Sequence, residues 1–515
     1  MNKPNTQTQV LVIGGGPAGS TAATLLARNG IQVTLIEREV FPRYHIGESL
    51  LPSCLEIVEL LGARELLERQ GFQRKPGAFL EWKGEQWSLD FGELRGNYQH
   101  SYQVPRAEFD EMLLRHAAAQ GVTVCEGTSV REIVYDGERP VAALWEQAAS
   151  SQLGEIRFDW VIDASGRNGI IANRYLNNRR FHEMFKNVAI WGYWDDVQRL
   201  PDGREGAIAV GSIDAGWIWA IPFSDGRMSV GVVLHKDAFQ AARRAGSLER
   251  VYRNAIASSP LMTRMTAPGR LNSALRVEQD YSYVADRFCG PGFMLAGDAA
   301  CFLDPLLSTG VHLAMLSGLL AAAGIGSVLR HEVTEAEALA HFDGSYRESY
   351  LRLLVFVAAF YETRGKEGYF AKAETLSHFD ADPANLRRAF LNLVSGLEDL
   401  ADAEQTSAHL MGEMQRRIRE NLELRRDKTA LRSGATADAA QDNARFFDGV
   451  EGFTAMSPEH AQAGLYVANV PHLHLARVGP ARAGGAGRAG AAVAAVADRE
   501  TAGRETAHRP VAEAV

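Results

Sequence analysis

Several short stretches combine residue types and spacings that can do chemistry. Val10 to Ile13 is an apolar run, and Gly14, Gly16 and Gly19 follow it as G-x-G-x-x-G, with Pro17 and Ala18 between the last two glycines. In such a turn the first glycine permits the tight bend. The second lets the backbone approach a pyrophosphate, and the third lets helix and strand pack closely. Ile31 to Ile36 is a second β-branched run, closed by Glu37, an acid at the distance where ribose hydroxyls are received. An acid there disfavours a 2′-phosphate, so the pattern points to FAD or NAD rather than NADP.

Other candidates are weaker one by one. The loop Arg38 to Ser53 crowds Arg43, His45, Glu48 and Ser49 beside the nucleotide strand, and its position suggests cofactor contact for Arg43 and Ser49. Lys75 stands before Pro76-Gly77; a lone lysine is ordinarily a solvated charge. Arg106 lies in the first turn of the amphipathic helix expected over Val104 to Gln120. Trp217-Ile218-Trp219-Ala220-Ile221-Pro222 alternates, which sets both tryptophans on one face of a strand. Physically, that also fits an ordinary core strand. Late in the chain an apolar strand runs into Gly297-Asp298, and the loop carrying Ser308, Thr309 and Gly310 precedes Val311 to Leu329, a small, apolar stretch expected as a buried helix. An acid at a strand end can bind hydroxyls, and a helix start can cradle an anion.

These segments need a framework. Strand, glycine turn, helix and strand from Val10 to Glu37, with a further strand over Phe158 to Asp163, predict an α/β fold with a Rossmann-like sheet. Asn187 to Ser273 is dominated by short β-rich runs and reads as a separate aromatic-bearing sheet, joined by paired strands over Arg74 to Phe91. The expected division is a discontinuous nucleotide domain over 1–70, 101–180 and 274–333, and a substrate domain over 71–100 and 181–273. A helical region over 334–432 follows, and then an Ala/Gly/Arg-rich tail over 433–515, expected to be disordered. The chain has 515 residues and a net charge of −9, so nothing global suggests nucleic acid or an anionic membrane as partner. Its four cysteines are scattered, indicating neither a disulfide framework nor a metal site. The first residues lack a signal peptide's apolar core, and no run of about twenty apolar residues stands out as a bilayer span, so a cytoplasmic location is expected.

Taken together, an early G-x-G-x-x-G and a late GDAA resemble the FAD-dependent aromatic hydroxylase superfamily. Over Val10 to Arg364 the chain resembles its flavin-dependent halogenases. Trp217 to Pro222 matches that family's W-x-W-x-I-P, Lys75 falls at its catalytic lysine, and Ser308-Thr309-Gly310 matches its chloride- and flavin-binding loop. The resemblance implies the fold: a Rossmann-like FAD-binding domain of the aromatic hydroxylase type with an inserted β-rich substrate domain and a helical C-terminal region. Tryptophan halogenases carry a glutamate directly before Ser-Thr-Gly; here the residue is Leu307. Through FPRYHIGESLLP and DASGR the chain looks closer to the halogenases of phenols and pyrroles, many of which act on carrier-protein-tethered substrates.

The resemblance also implies a mechanism. Reduced FAD (FADH2) activates dioxygen, and chloride or bromide, held near Thr309 and Gly310, is oxidised to hypohalous acid. Trp217 and Trp219, with Ile221 and Pro222, wall the flavin from the organic substrate. Lys75 holds the oxidised halide by hydrogen bond or as a haloamine for electrophilic substitution. Gly14, Gly16, Gly19 and Glu37 are expected at the adenosine end of FAD, with Arg106 and Asp298 nearer its phosphates and ribityl chain. No separate NADPH motif is visible, so a separate flavin reductase is the expected electron source. Two alternatives remain: a flavin hydroxylase or flavin-linked reductase of the same superfamily, and a non-catalytic flavin-binding protein.

Overall fold

A computed structural model describes residues 3–93, 99–362, 456, 458 and 461–478. The described residues up to Ala476 belong to one compact unit; of the second unit, 477–515, only the first two positions are described.

Two sheets carry the architecture. In the first, the apolar strand Gln7–Ile13 lies between Gln152–Asp163 and Val33–Ile36, parallel to both, with Val10 opposite Trp160 and Val33. Thr123–Cys125 and Phe293–Leu295 extend the parallel set at either side. Such a sheet is buried on both faces, which is why these strands read as continuous apolar runs. The helix Pro17–Arg28 starts one turn earlier than the Ser20 expected from composition, because Pro17 at its first position has a preset φ and no N–H to satisfy.

The second sheet runs in the order Cys301–Phe302, Arg276–Ala285, Arg179–Asp195, Met228–His235, Gly216–Pro222, Ile208–Ile213, Gly77–Trp82 and Glu85–Asp90. The hairpin over Gly77–Asp90 therefore joins the sheet expected from 187–273. The strand Arg276–Ala285 also joins it, although the expected boundary at 274 assigned that segment to the nucleotide part. Alternation sends Trp217, Trp219 and Ile221 into one core and Ile218 and Ala220 into another. That second core is closed by three helices, Lys236–Ala245, Leu248–Ala257 and Pro260–Thr266, in a region the sequence suggested was mainly strand. Val251, Tyr252, Ala255 and Ile256 recur at helical spacing and supply the buried face.

The helix Gly310–Leu329 corrects the expectation that no segment is long and apolar enough to cross a bilayer. It passes on length and composition, but 89% of its most apolar window is buried inside the protein, so it is a core helix. Its neighbour is the helix Glu335–Glu362; the remainder of the expected helical region to 432 lies outside the described residues. The expected disorder from 433 onward meets an ordered exception. Leu465–Ala468 and His474–Arg477 form a hairpin whose Leu465, Val467, Leu473 and Leu475 are buried. Ser327 Oγ accepts from Leu475 N at 2.8 Å, and Leu473 O accepts from Arg330 Nη2 at 2.9 Å. Alternating apolar residues supply what the flanking Ala/Gly/Arg composition lacks. The rest of 433–515 lies outside the described residues.

Candidate active site

The first sheet ends at a cavity of about 760 Å³. Its lining includes Gly14, Gly16, Pro17, Ala18, Glu37, Arg43, Ser49, Arg106 and Asp298 from the nucleotide side. Trp217, Trp219 and Ile221 come from the second sheet, and Ser308 and Gly310 from the late loop. Gly19, Lys75, Pro222 and Thr309 do not line it.

The glycine turn explains itself sterically. Gly14 has φ +106°, in the region open to glycine, and a Cβ there would be driven into the carbonyl of Ala164. At Gly19 a Cβ would be driven into the carbonyl oxygen of Gly14. At Gly16 a Cβ meets only Arg43 Nη2, at 3.3 Å. The space over Gly16 therefore belongs to the cavity, at the start of a helix whose first N–H groups have no intrahelical acceptor. Glu37 is buried, and its carboxylate accepts from Gly15 N at 2.6 Å and Glu39 N at 2.8 Å. Lone pairs remain for vicinal hydroxyls. Strand-terminal acid, open glycine and a long cavity fit a flavin dinucleotide.

Arg106, expected nearer the phosphates and ribityl chain, lines the cavity with much of its guanidinium already engaged. Its guanidinium pairs with Asp110 through Nε at 2.8 Å and Nη2 at 2.9 Å, and donates to Ile46 O and Gly47 O at 2.7 and 3.3 Å. Two of its donors thus hold Asp110 and two hold carbonyls of the 43–49 loop. Arg43 joins the same carboxylate at 3.2 Å. Asp298 sits 4.0 Å from Arg167 Nε; burial pushes its carboxyl up, while Arg167 and Arg106 pull it back.

Trp217 and Trp219 stand 5.8 Å apart between ring centres, and Trp191 lies 6.4 Å beyond Trp219. Trp217 Nε1 donates to Tyr361 Oη at 2.8 Å, and Tyr361 Oη donates to Asp304 Oδ2 at 2.9 Å. Asp304 also accepts from Asn187 Nδ2 at 2.8 Å and Leu306 N at 3.1 Å, so it caps the turn that leads to Ser308. Ser308 itself has φ +61°. One phenol therefore ties the tryptophan wall to the Ser-Thr-Gly loop. Tyr361→Phe should remove a hydrogen bond from both Trp217 and Asp304, costing about 1–3 kcal/mol in denaturant unfolding. The sequence reading missed Asp304 and Tyr361. Asp304-Pro305 was a legible cap signal; nothing local marked Tyr361.

Lys75 lies on the short strand Gln73–Lys75, paired with Ser101–Gln103, and is 2% exposed. Its Nζ donates to Leu50 O at 2.9 Å and stands 5.3 Å from the Phe91 ring centre. Among the described residues no carboxylate pairs with it. Burial pushes its pKa down to about 7, with only Cys54 opposing. Its register partner, Ser101, has a hydroxyl buried without a hydrogen bond.

The sequence model of the tryptophan halogenase family matches residues 9–99 and 94–391. A tryptophan 2-halogenase of Chondromyces crocatus is 44% identical over 494 residues, spanning 91% of this chain and 94% of the relative. The flavin-dependent halogenase armH2 of Armillaria mellea is 38% identical, over 77% of this chain and 79% of the relative. Among solved structures, the myxobacterial chondrochloren halogenase CndH, described as an FAD-dependent halogenase, superposes with a TM-score of 0.66 at 34% identity. That match covers 77% of this chain and 92% of that one. The hydroxylase and non-catalytic alternatives give way to these matches. This chain belongs to the tryptophan halogenase family and is a flavin-dependent halogenase.

Proposed function

We propose that the chain halogenates an electron-rich phenolic or pyrrolic ring, using FADH2, dioxygen and chloride or bromide, with reduced flavin supplied by a separate reductase. The observation that carries the assignment of Lys75 is its burial without a carboxylate partner among the described residues. A buried lysine kept only for structure is normally paired, because the desolvation cost is otherwise uncompensated. An amine that sheds its proton near neutrality is nucleophilic and can take up oxidised halide.

In this reading Gly14, Gly16 and the start of the Pro17–Arg28 helix, with Pro17 and Ala18, receive the pyrophosphate, and Gly19 lets that helix sit close. Glu37 receives the ribose, and Arg43, Ser49 and Asp298 face the rest of the cofactor, with Arg106 holding their loop. FAD, when bound and reduced, supplies the electrons that activate dioxygen. Ser308, Thr309 and Gly310 hold the halide at the N-terminus of the Gly310–Leu329 helix. Trp217, Trp219 and Ile221, backed by Pro222, exclude the organic ring from the flavin.

The substrate class rests on Leu307. It is buried and apolar where a carboxylate would polarise an indole, and the loop's own acid, Asp304, is spent on Asn187, Tyr361 and the turn. A phenol or pyrrole is electron-rich enough without that help. A second reading, an indole substrate, is favoured by the 44% identical relative named a tryptophan 2-halogenase. Mass spectrometry with reductase, FAD and halide should find halogen on phenols or pyrroles, free or carrier-bound, and none when the reductase is omitted. Halogen on tryptophan alone would replace the phenol or pyrrole reading with the indole one.

A further inference from the structure

The 43–49 loop carries a buried carboxyl that none of the roles above uses. Glu48 is 3% exposed and lines the cavity. Its Oε1 accepts from Tyr193 Oη at 2.6 Å. Tyr193 Oη lies 3.0 Å from Tyr44 Oη, which accepts from Trp191 Nε1 at 2.6 Å. A phenol has a single hydrogen. Tyr193 gives its own to Glu48, so Tyr44 donates to Tyr193 and the chain runs one way, inward. Tyr44 is 40% exposed. Two hydroxyls therefore lead from a partly exposed phenol, which also borders the cavity, to a carboxyl facing it. Its second oxygen, Oε2, is buried and makes no hydrogen bond of good geometry; the Ser229 hydroxyl lies near enough to favour the ionised form.

We propose that Glu48, recharged from solvent through Tyr44 and Tyr193, donates the proton consumed when hypohalous acid forms. The proposal rests on the family's halogenation chemistry and not on the substrate class argued above. The balance requires a proton. FADH2, dioxygen, one halide ion and one proton give FAD, hypohalous acid and water. The flavin's two electrons reduce dioxygen. The O–O bond breaks, one oxygen leaves as water, and the other bonds to the halide. Ring substitution then releases a second water and no net proton. A site that excludes bulk water must import that proton along a fixed path.

The surroundings suit the task. The groups facing Glu48 are Tyr193, Arg106 from the Arg106–Ala119 helix and Arg227 from the turn before Met228–His235. The Arg276 guanidinium lies 3.7 Å from the centre of the Tyr44 ring. Burial pushes Glu48 up to about 7, against those hydrogen bonds and arginines. A donor is most useful when its pKa lies near the working pH. Burial raises both phenols above their ordinary value, so neither rests as a phenolate and the proton passes through them in concert.

The test uses full-length Tyr44→Phe, Tyr193→Phe and Glu48→Gln proteins. FAD affinity is measured first. Then the hydrogen peroxide released per FADH2 oxidised in the presence of bromide is measured as a function of pH, together with bromide oxidised. Both tyrosine variants should bind FAD as wild type does. They should divert oxygen to hydrogen peroxide, with bromide oxidation falling on the order of 10²-fold above about pH 7 and less below it, where hydronium can substitute. Infrared titration of the FAD-free protein should show a carboxylic acid band that titrates near 7 and is missing in Glu48→Gln. Wild-type coupling in both tyrosine variants, or a band unaffected by Glu48→Gln, would overturn the proposal. So would weakened FAD binding in Tyr44→Phe without a change in the pH profile, which would mark a merely structural role. A wild-type protein that oxidises bromide but halogenates no phenol or pyrrole would sink the substrate reading alone.

Discussion

Lys75→Met should yield a protein that binds and reoxidises FAD, forms no halogenated product, and is more stable than wild type at neutral pH. The loss of product follows from the proposed role, since a thioether can neither hold hypohalous acid by hydrogen bond nor form a haloamine. The gain in stability follows from burial. The amine's pKa falls from 10.5 unfolded to about 7 folded, a difference worth about 5 kcal/mol at full extent. Below about pH 7 both states are protonated and the whole penalty is carried. Between about 7 and 10.5 the unfolded chain binds a proton that the folded chain does not, so wild-type stability rises with pH across that window. Lys75→Met lacks that rise. It leaves Leu50 O without its donor, at about 1–3 kcal/mol, so a net gain of about 2 kcal/mol or more is expected near neutrality, shrinking as pH rises. Lys75→Ala should lose activity equally but open a cavity, and Lys75→Arg should fail because guanidinium stays charged. Denaturant unfolding on both sides of the window, with product assays, checks each part. Near-normal product from Lys75→Met would remove the lysine from the mechanism. A Lys75→Met protein no more stable than wild type would show that the amine is not desolvated.

Gly16→Val and Gly19→Val should separate cofactor binding from folding. At Gly16 a side chain meets one flexible arginine terminus and then cavity, so the apoprotein should fold with near wild-type stability. The same side chain fills the space a pyrophosphate needs, and FAD should no longer bind measurably. At Gly19 the side chain has no such outlet, because the obstruction is the carbonyl of Gly14 in the backbone of the turn. Gly19→Val should destabilise the fold itself by several kcal/mol, on the order of the largest single-substitution effects. Flavin fluorescence titration and circular dichroism on both proteins make the comparison. Wild-type FAD affinity in Gly16→Val would place the cofactor elsewhere.

The comparison of Lys75 with the glycine turn shows how much was legible in the chain. Gly14, Gly16, Gly19 and Glu37 act through turn geometry and strand register, both fixed within about thirty residues, so spacing alone was informative. The W-x-W-x-I-P strand was equally readable, since period-two alternation sends Trp217, Trp219 and Ile221 to one side whatever the partner strands are. Other properties depend on which distant segments meet. Arg106 meets the carbonyls of Ile46 and Gly47 only because a segment far away in sequence folds onto its helix. Asp304, Asn187, Tyr361 and Trp217 are far apart in sequence and become one network only in the fold.

By itself the sequence determined the nucleotide-binding turn, the two sheets in outline, the aromatic strand and, through its motifs, the family. Those are products of local period, turn chemistry and residue order. Only the tertiary structure decided that Lys75 is enclosed with no counter-charge among the described residues and that Glu48 is buried at the end of a tyrosine chain. It also decided that a hairpin from the low-complexity tail packs on the body. The reason is common to all three. Exposure, and with it the protonation state of an ionisable side chain, is set by what covers a residue, and the covering groups come from segments that no local pattern names.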